Sequence, residues 1–169
     1  HVYPLLNPWG FEHDCRENPN GIDLNRDFLE NPTQPESRLI SQEFARCRFD
    51  VLLNLHGDCD SPGSYAWTTA PLLARHIVQP ALQAASVVAP VNTAPVIDGH
   101  PAQDGVIIGT YPGALQLLAA RSNAGIEPLT VTLETPNLFS LATRSTAHAL
   151  MVRTILDEYL RFIAHGMNL

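Results

Sequence analysis

Asp50-Val51-Leu52-Leu53-Asn54-Leu55-His56-Gly57-Asp58 is an apolar run that stops abruptly at a histidine, a glycine and an acid. Val51, Leu52, Leu53 and Leu55 suit a buried strand of the continuous apolar kind found in α/β sheets. Ligand sites in such sheets lie beyond the carboxyl ends of strands, where His56 falls. A neutral imidazole there can ligate zinc, and the plainer alternative is a hydrogen-bonded structural histidine. Further on, Leu129-Thr-Val-Thr-Leu133 alternates apolar and hydroxyl residues and ends in Glu134-Thr-Pro136, which predicts a second strand with a carboxylate at its end. Glu134 suits a general base; the alternative is a solvated acid at a sheet rim.

Around these two strands the pattern predicts layers of helix and sheet. Val2–Leu6 reads as a strand interrupted by Pro4, hence near an edge. Pro35–Arg46 has Pro and Glu in its first turn and apolar Leu39, Ile40 and Phe44, as an amphipathic helix should. Ser64–Thr69 reads as a strand, and Ala70–Ala89 as an apolar helix bent or divided at Pro80. Pro90–Pro112, rich in Pro, Gly and polar residues, reads as a long loop of the kind that covers sites. Ala114–Ala120 suits a short helix, and Leu141–His165 a long amphipathic one with its arginines outward. The succession predicts one α/β domain over residues 1–169, with a mixed, mostly parallel sheet and helices on both faces.

Composition narrows the function. At 169 residues and 45% hydrophobic content, the chain can bury a sizeable core. No apolar run is long enough to span a bilayer. The net charge of −7 argues against nucleic acid or an anionic membrane as partner. All ten basic residues are arginine, so lysine-based chemistry is excluded. Cys15, Cys47 and Cys59 form no CxxC pair and no even set, which speaks against a disulfide framework and favours a reducing, cytoplasmic setting. A thiol mechanism at Cys59 or Cys15 lacks a recognisably spaced base and orienting acid.

A third segment packs turn residues, a carboxylate, an amide and an arginine together: Asn18-Pro-Asn-Gly-Ile-Asp-Leu-Asn-Arg-Asp-Phe28. Asn18 to Gly21 are loop formers. Ile22 and Leu24 alternate with Asp23 and Asn25, so a short extended piece can anchor two apolar side chains and aim the polar ones elsewhere. Arg26 offers a planar fork suited to a carboxylate or an oxyanion. The plainer reading is a polar loop with Asp23 or Arg26 in a local salt bridge.

Taken in order, these segments resemble the zinc carboxypeptidase family. Asn7-Pro-Trp-Gly10 is similar to its Asn-Pro-Asp-Gly turn, Gly21-Ile-Asp-Leu-Asn-Arg26 to its Gly-Val-Asp-Leu-Asn-Arg segment, Leu55-His-Gly57 to its second zinc-histidine segment, and Thr132-Leu-Glu134 to the strand bearing its catalytic glutamate. The resemblance implies zinc as cofactor with His56 as a ligand, Glu134 as the base acting on metal-bound water, and Arg16 as the cation that polarises the scissile carbonyl. It further implies that Asn25 and Arg26 grip a terminal carboxylate and that Tyr111 caps the substrate, a peptide or small amide with a free carboxylate. A zinc deacylase of the aspartoacylase or succinylglutamate desuccinylase type and a noncatalytic carboxylate-binding module are the alternatives. Two departures stand out. Asp27 replaces a further Asn of the family pattern, where its charge would partly neutralise Arg26 or orient it. The family's upstream His-x-x-Glu zinc motif does not occur in this sequence. Since catalytic zinc takes three protein ligands, the expectation is the C-terminal portion of a catalytic domain, N-terminally incomplete, whose remaining ligands lie upstream.

Overall fold

The structure, a computed structural model, describes residues 1–29, 31–111 and 128–166. They fall into two compact units, His1–Leu52 with Tyr111–Pro128, and Leu53–Thr110 with Leu129–Leu169.

In the first unit, helix α1 (Pro8–His13) starts with Pro8 behind Asn7, whose side chain accepts from the Gly10 amide. A 3₁₀ turn covers Leu24–Arg26, and helix α2 spans Pro35–Arg46 as the sequence predicts. Ile40 and Phe44, one helical turn apart, join Leu24 and Phe28 in the core, with Leu6, Phe49 and Leu52 packed against it. Leu39 is 67% exposed because it lies one residue, about 100° of helix, away from Ile40. Val2–Leu6 is not the expected strand. Pro4 has no N–H to give a ladder, and Tyr3 instead lays its ring against Phe44.

The sheet has six strands in the order β1-β6-β2-β5-β4-β3: β1 Val51–Asp58, β2 Tyr65–Thr68, β3 Val96–Ile97, β4 His100–Gln103, β5 Val106–Ile108 and β6 Leu129–Pro136. The α/β class and the mixed sheet are those expected. The proportion of directions differs, since β2 runs parallel to β5 but antiparallel to β6, and β3–β4 and β4–β5 are antiparallel. Part of the cause lies in residues 90–111, where the chain expected as a loop over Pro90–Pro112 forms a strand meander from β3 to β5. Asp98-Gly99 and Asp104-Gly105 each hold two successive left-handed residues, with φ of 49° and 75° and of 50° and 79°. Such pairs make the tight turns whose twist matches that of a hairpin, and hairpin strands must run antiparallel.

Helix α3 (Pro71–Leu73) passes through a π segment (Ala74–Val78) into α4 (Gln79–Ala85). The division expected at Pro80 takes this form: Gln79 donates to the Ala74 carbonyl, five residues back, and the widened turn accommodates a proline that has no amide to donate. Helix α5 (Leu141–Gly166) packs on α4 and β6. Its Ala147, Met151 and Ile155 recur every four residues and are fully buried, while Ala81 and Ala85 of α4 are small enough for close approach. Arg153 and Arg161 face outward as expected, whereas Arg144 turns in to donate to Asn137 Oδ1 at 2.6 Å. The predicted helix Ala114–Ala120 lies outside the described residues. No described helix is long and apolar enough to cross a membrane.

The two turn glycines should respond differently to alanine. At Gly99 an added Cβ meets nothing within 4 Å, so only the left-handed backbone is strained, a loss of about 1 kcal/mol. At Gly105 it would also lie 2.6 Å from Val91 Cγ1 and 3.1 Å from Leu82 Cδ1. Urea unfolding should therefore show Gly105→Ala losing about 2–3 kcal/mol. Equal midpoints for the two variants would contradict this account of the meander.

Candidate functional site

The loop that carries Arg16, Asn25 and Arg26 is tied together by amides and acids. Asn7 Nδ2 donates to the carbonyls of Arg16 at 3.1 Å and Glu17 at 3.0 Å, so one residue caps α1 and holds the next segment. Asn18, buried, accepts from the amides of Asn20 and Ile22 and donates to Gln34 Oε1. Leu24 is buried as expected, but Ile22 is exposed, because the chain turns into the 3₁₀ helix instead of running extended.

Asp23 has two roles. Its Oδ1 accepts from the Asn25 amide at 2.9 Å, capping the 3₁₀ turn, and its Oδ2 accepts from Arg16 Nε at 2.8 Å. The bond to Asp23 is the main cause that raises the Arg16 pKa; burial opposes it, and the charge of Asp23, Tyr111 and Glu17 add to it. Arg16 is thus a permanent cation, mostly exposed, with its Nε edge committed to Asp23, and the charge of Tyr111 also acts on it. Arg26 is exposed and donates from Nη1 to the Asn25 carbonyl at 3.2 Å.

Asp27 is buried and meets donors of its own. Its carboxylate accepts from the Thr33 amide and hydroxyl and from the Gln34 amide, at 2.6 to 3.1 Å. Burial alone would raise its pKa, but these bonds outweigh that and hold it below the usual aspartate value. Its function is to pin the residues leading into α2, a role that an asparagine could fill only in part because it can accept through one oxygen.

In the second unit the sheet brings the ends of β1 and β6 together. His56 Nδ1 lies 3.7 Å from Glu134 Oε1, with the two side chains 14% and 4% exposed. That separation is longer than a hydrogen bond but within the range of an ion pair, and both side chains are largely buried. Glu134 sits opposite Tyr65 in the β2–β6 register. The Tyr65 hydroxyl donates to Asp58 Oδ2 at 2.9 Å, and burial first, then the charge of Glu134, raises its pKa well above the usual range, so that it stays protonated.

Two neighbours escaped the sequence reading. His148 Nε2 lies 3.0 Å from the His56 carbonyl oxygen and 3.1 Å from Thr135 Oγ1, and Thr135 Oγ1 donates to the same carbonyl at 3.3 Å. Burial lowers the His148 pKa, its bond to the His56 carbonyl opposes this, and the Arg144 charge lowers it further. Thr135 was findable, since strand alternation sets it on the face opposite Glu134; nothing in the sequence joins His148 to His56. Among the described residues, one group of three possible metal ligands occurs, His1, Glu43 and Cys47, with ligand atoms within 4.8 Å of one another. His56 is not in it.

The chain is similar to several known proteins. Residues 4–45 match a family described as a protein of unknown function, DUF2817. The chain is 39% identical over 66 residues to carboxypeptidase SOL1 of Arabidopsis thaliana, a match covering 34% of this chain and 13% of that one. Among solved structures it is similar to a candidate metallopeptidase of Shewanella amazonensis SB2B, with TM-score 0.74, 26% identity, and 91% of this chain and 61% of that one covered. A metallo-carboxypeptidase of Burkholderia cenocepacia shares the fold, with TM-score 0.62, 21% identity and coverage of 94% and 45%. The chain is thus similar to the metallopeptidases that its motifs resemble. It spans about three-fifths of the Shewanella structure and a small part of the plant relative.

The Asp27 site predicts a specific acid response. A folded-state pKa below the unfolded value means that the stabilisation is complete above the ordinary aspartate range and is lost as pH falls through the lower, folded-state value. Asp27→Asn should lower stability near neutral pH by about 1–3 kcal/mol. In urea unfolding at pH 7 and pH 3, the variant should lose less than the parent on acidification. Equal acid loss in both proteins would show that Asp27 does not carry this linkage.

Proposed function

We propose that this chain carries part of the active site of a metal-dependent hydrolase that cleaves a peptide or amide bond next to a free carboxylate, with zinc as the metal. The observation that supports this most is the approach of His56 and Glu134 at the ends of neighbouring strands, in a fold similar to metallopeptidases. His56 supplies one ligand. The described residues do not complete a three-ligand set around it, so the remaining ligands are proposed to come from protein beyond the residues described.

When bound, zinc lowers the pKa of its water toward neutrality and polarises the carbonyl to be attacked. The rest of the work falls to side chains. Glu134, as a carboxylate, accepts a proton at Oε1 from the attacking water and returns it to the leaving nitrogen. Arg16, held by Asp23, stabilises negative charge on the carbonyl oxygen, and because Asp23 fixes its direction beforehand little reorganisation is needed. Asn25 and Arg26 bind the substrate carboxylate, for which the guanidinium fork is the natural partner. Tyr111 covers the substrate. The peptide reading is preferred to the N-acyl amino acid one because the plant relative that matches is named a carboxypeptidase.

Glu134→Gln should separate chemistry from binding. With the full-length protein and a C-terminally free peptide, kcat should fall by about 10²–10⁴-fold, while zinc content by elemental analysis and KM change little. A variant that hydrolyses normally would remove Glu134 from the mechanism; one that binds carboxylate ligands better, in a parent with no turnover, would favour a binding module.

A further inference from the structure

The back of the strand end that carries His56 is fastened by side chains with no part in the chemistry proposed above. The His56 carbonyl, in β1 beside β6, is also met by two side chains, His148 Nε2 from α5 and Thr135 Oγ1 from β6, at 3.0 and 3.3 Å. The arrangement selects a tautomer. An Nε2 lone pair would face the carbonyl oxygen and repel it, so the proton is on Nε2, which donates to the carbonyl while the Thr135 hydroxyl also donates to it. Nδ1 is then a lone-pair atom, buried and with no hydrogen-bond partner among the described residues. A group chosen only to fill this space would not leave a buried acceptor unbonded, whereas one chosen for its Nε2–H would tolerate it.

We infer that His148 is a positioning residue for His56, acting through the His56 main-chain carbonyl, with the Thr135 hydroxyl as its partner. Fixing this carbonyl fixes the peptide plane after His56 and with it the direction of the His56 side chain. Thr135 directly follows Glu134, so the same three-way contact sets one strand end against the other and maintains the 3.7 Å approach on the opposite face. Asn137 reinforces it, donating its amide to the Asp58 carbonyl at 2.7 Å while Arg144 holds its side chain. The inference rests on reading His56 as a metal ligand and Glu134 as the base.

The test compares His148→Leu, His148→Gln and Thr135→Val in the full-length protein. Zinc affinity is measured by chelator competition, the His56 imidazole by long-range ¹H–¹⁵N spectra of the metal-free protein, and stability by thermal melting. His148→Leu should weaken zinc binding by about tenfold and shift the His56 resonances. His148→Gln, which keeps an N–H donor, should restore most of both, and Thr135→Val should move both in the same direction by less. The inference is overturned if the Leu and Val variants keep parental zinc affinity and His56 resonances and lose only melting temperature. Should His148→Leu fail to fold, Thr135→Val alone decides by the same criteria. If the parent itself takes up no zinc, the metal reading fails, and the His56 resonances by themselves still uphold or reject the positioning role.

Discussion

Strand β6 is buried along its whole length, between β1 on one side and β2 on the other. A strand so placed must satisfy both faces at once, and the sequence Leu-Thr-Val-Thr-Leu-Glu-Thr-Pro does so by alternation. Leu129, Val131, Leu133 and Thr135 share one face, which receives α5, while Thr130, Thr132 and Glu134 share the other. Helix α5 can therefore bury Met151 and Ile155 on the side of the sheet opposite the carboxylate. Burying a carboxylate is tolerable only with compensation, and a buried acid beside an imidazole at a strand end is the kind of arrangement that marks functional sites.

Much of this was legible because it is local. An apolar run ended by His56 and an alternating run ended by Glu134 declare two strand ends, and the class of fold follows. The Asp98-Gly99 and Asp104-Gly105 pairs are equally local, but in a stretch rich in proline, glycine and polar residues they read as loop and not as tight hairpin turns. His148 was not legible in the same sense. It reaches the His56 carbonyl across 92 residues of sequence, and a contact between a helix side chain and a main-chain atom leaves no periodicity to read. Arg16 falls between these cases: the sequence marks Asp23 as a salt-bridge former, but its partner is set by how Asn7 folds the loop back.

The two acids flanking Leu-Asn-Arg show how position decides the use of identical chemistry. Asp23 is partly exposed and divides its oxygens between a backbone amide and a guanidinium. Asp27 is buried and gives both oxygens to the segment entering α2. One directs a cation and the other anchors a helix. The departure from the family pattern at Asp27 is therefore met by donors inside its own unit.

Strand β1 stands at one end of the strand order, and among the described residues no further strand lies beyond it. Its Leu55 is 51% exposed, and from Val51 to Leu55 no charged residue interrupts it. Charge and proline are usual means by which a sheet margin refuses newcomers; Val51 to Leu55 has neither, and only Asp58 at the strand's end carries a charge. A margin of this composition is of the kind to which an extended peptide can add as a further strand. The strand that presents His56 is thus also a sheet margin that, from Val51 to Leu55, its own composition leaves unguarded.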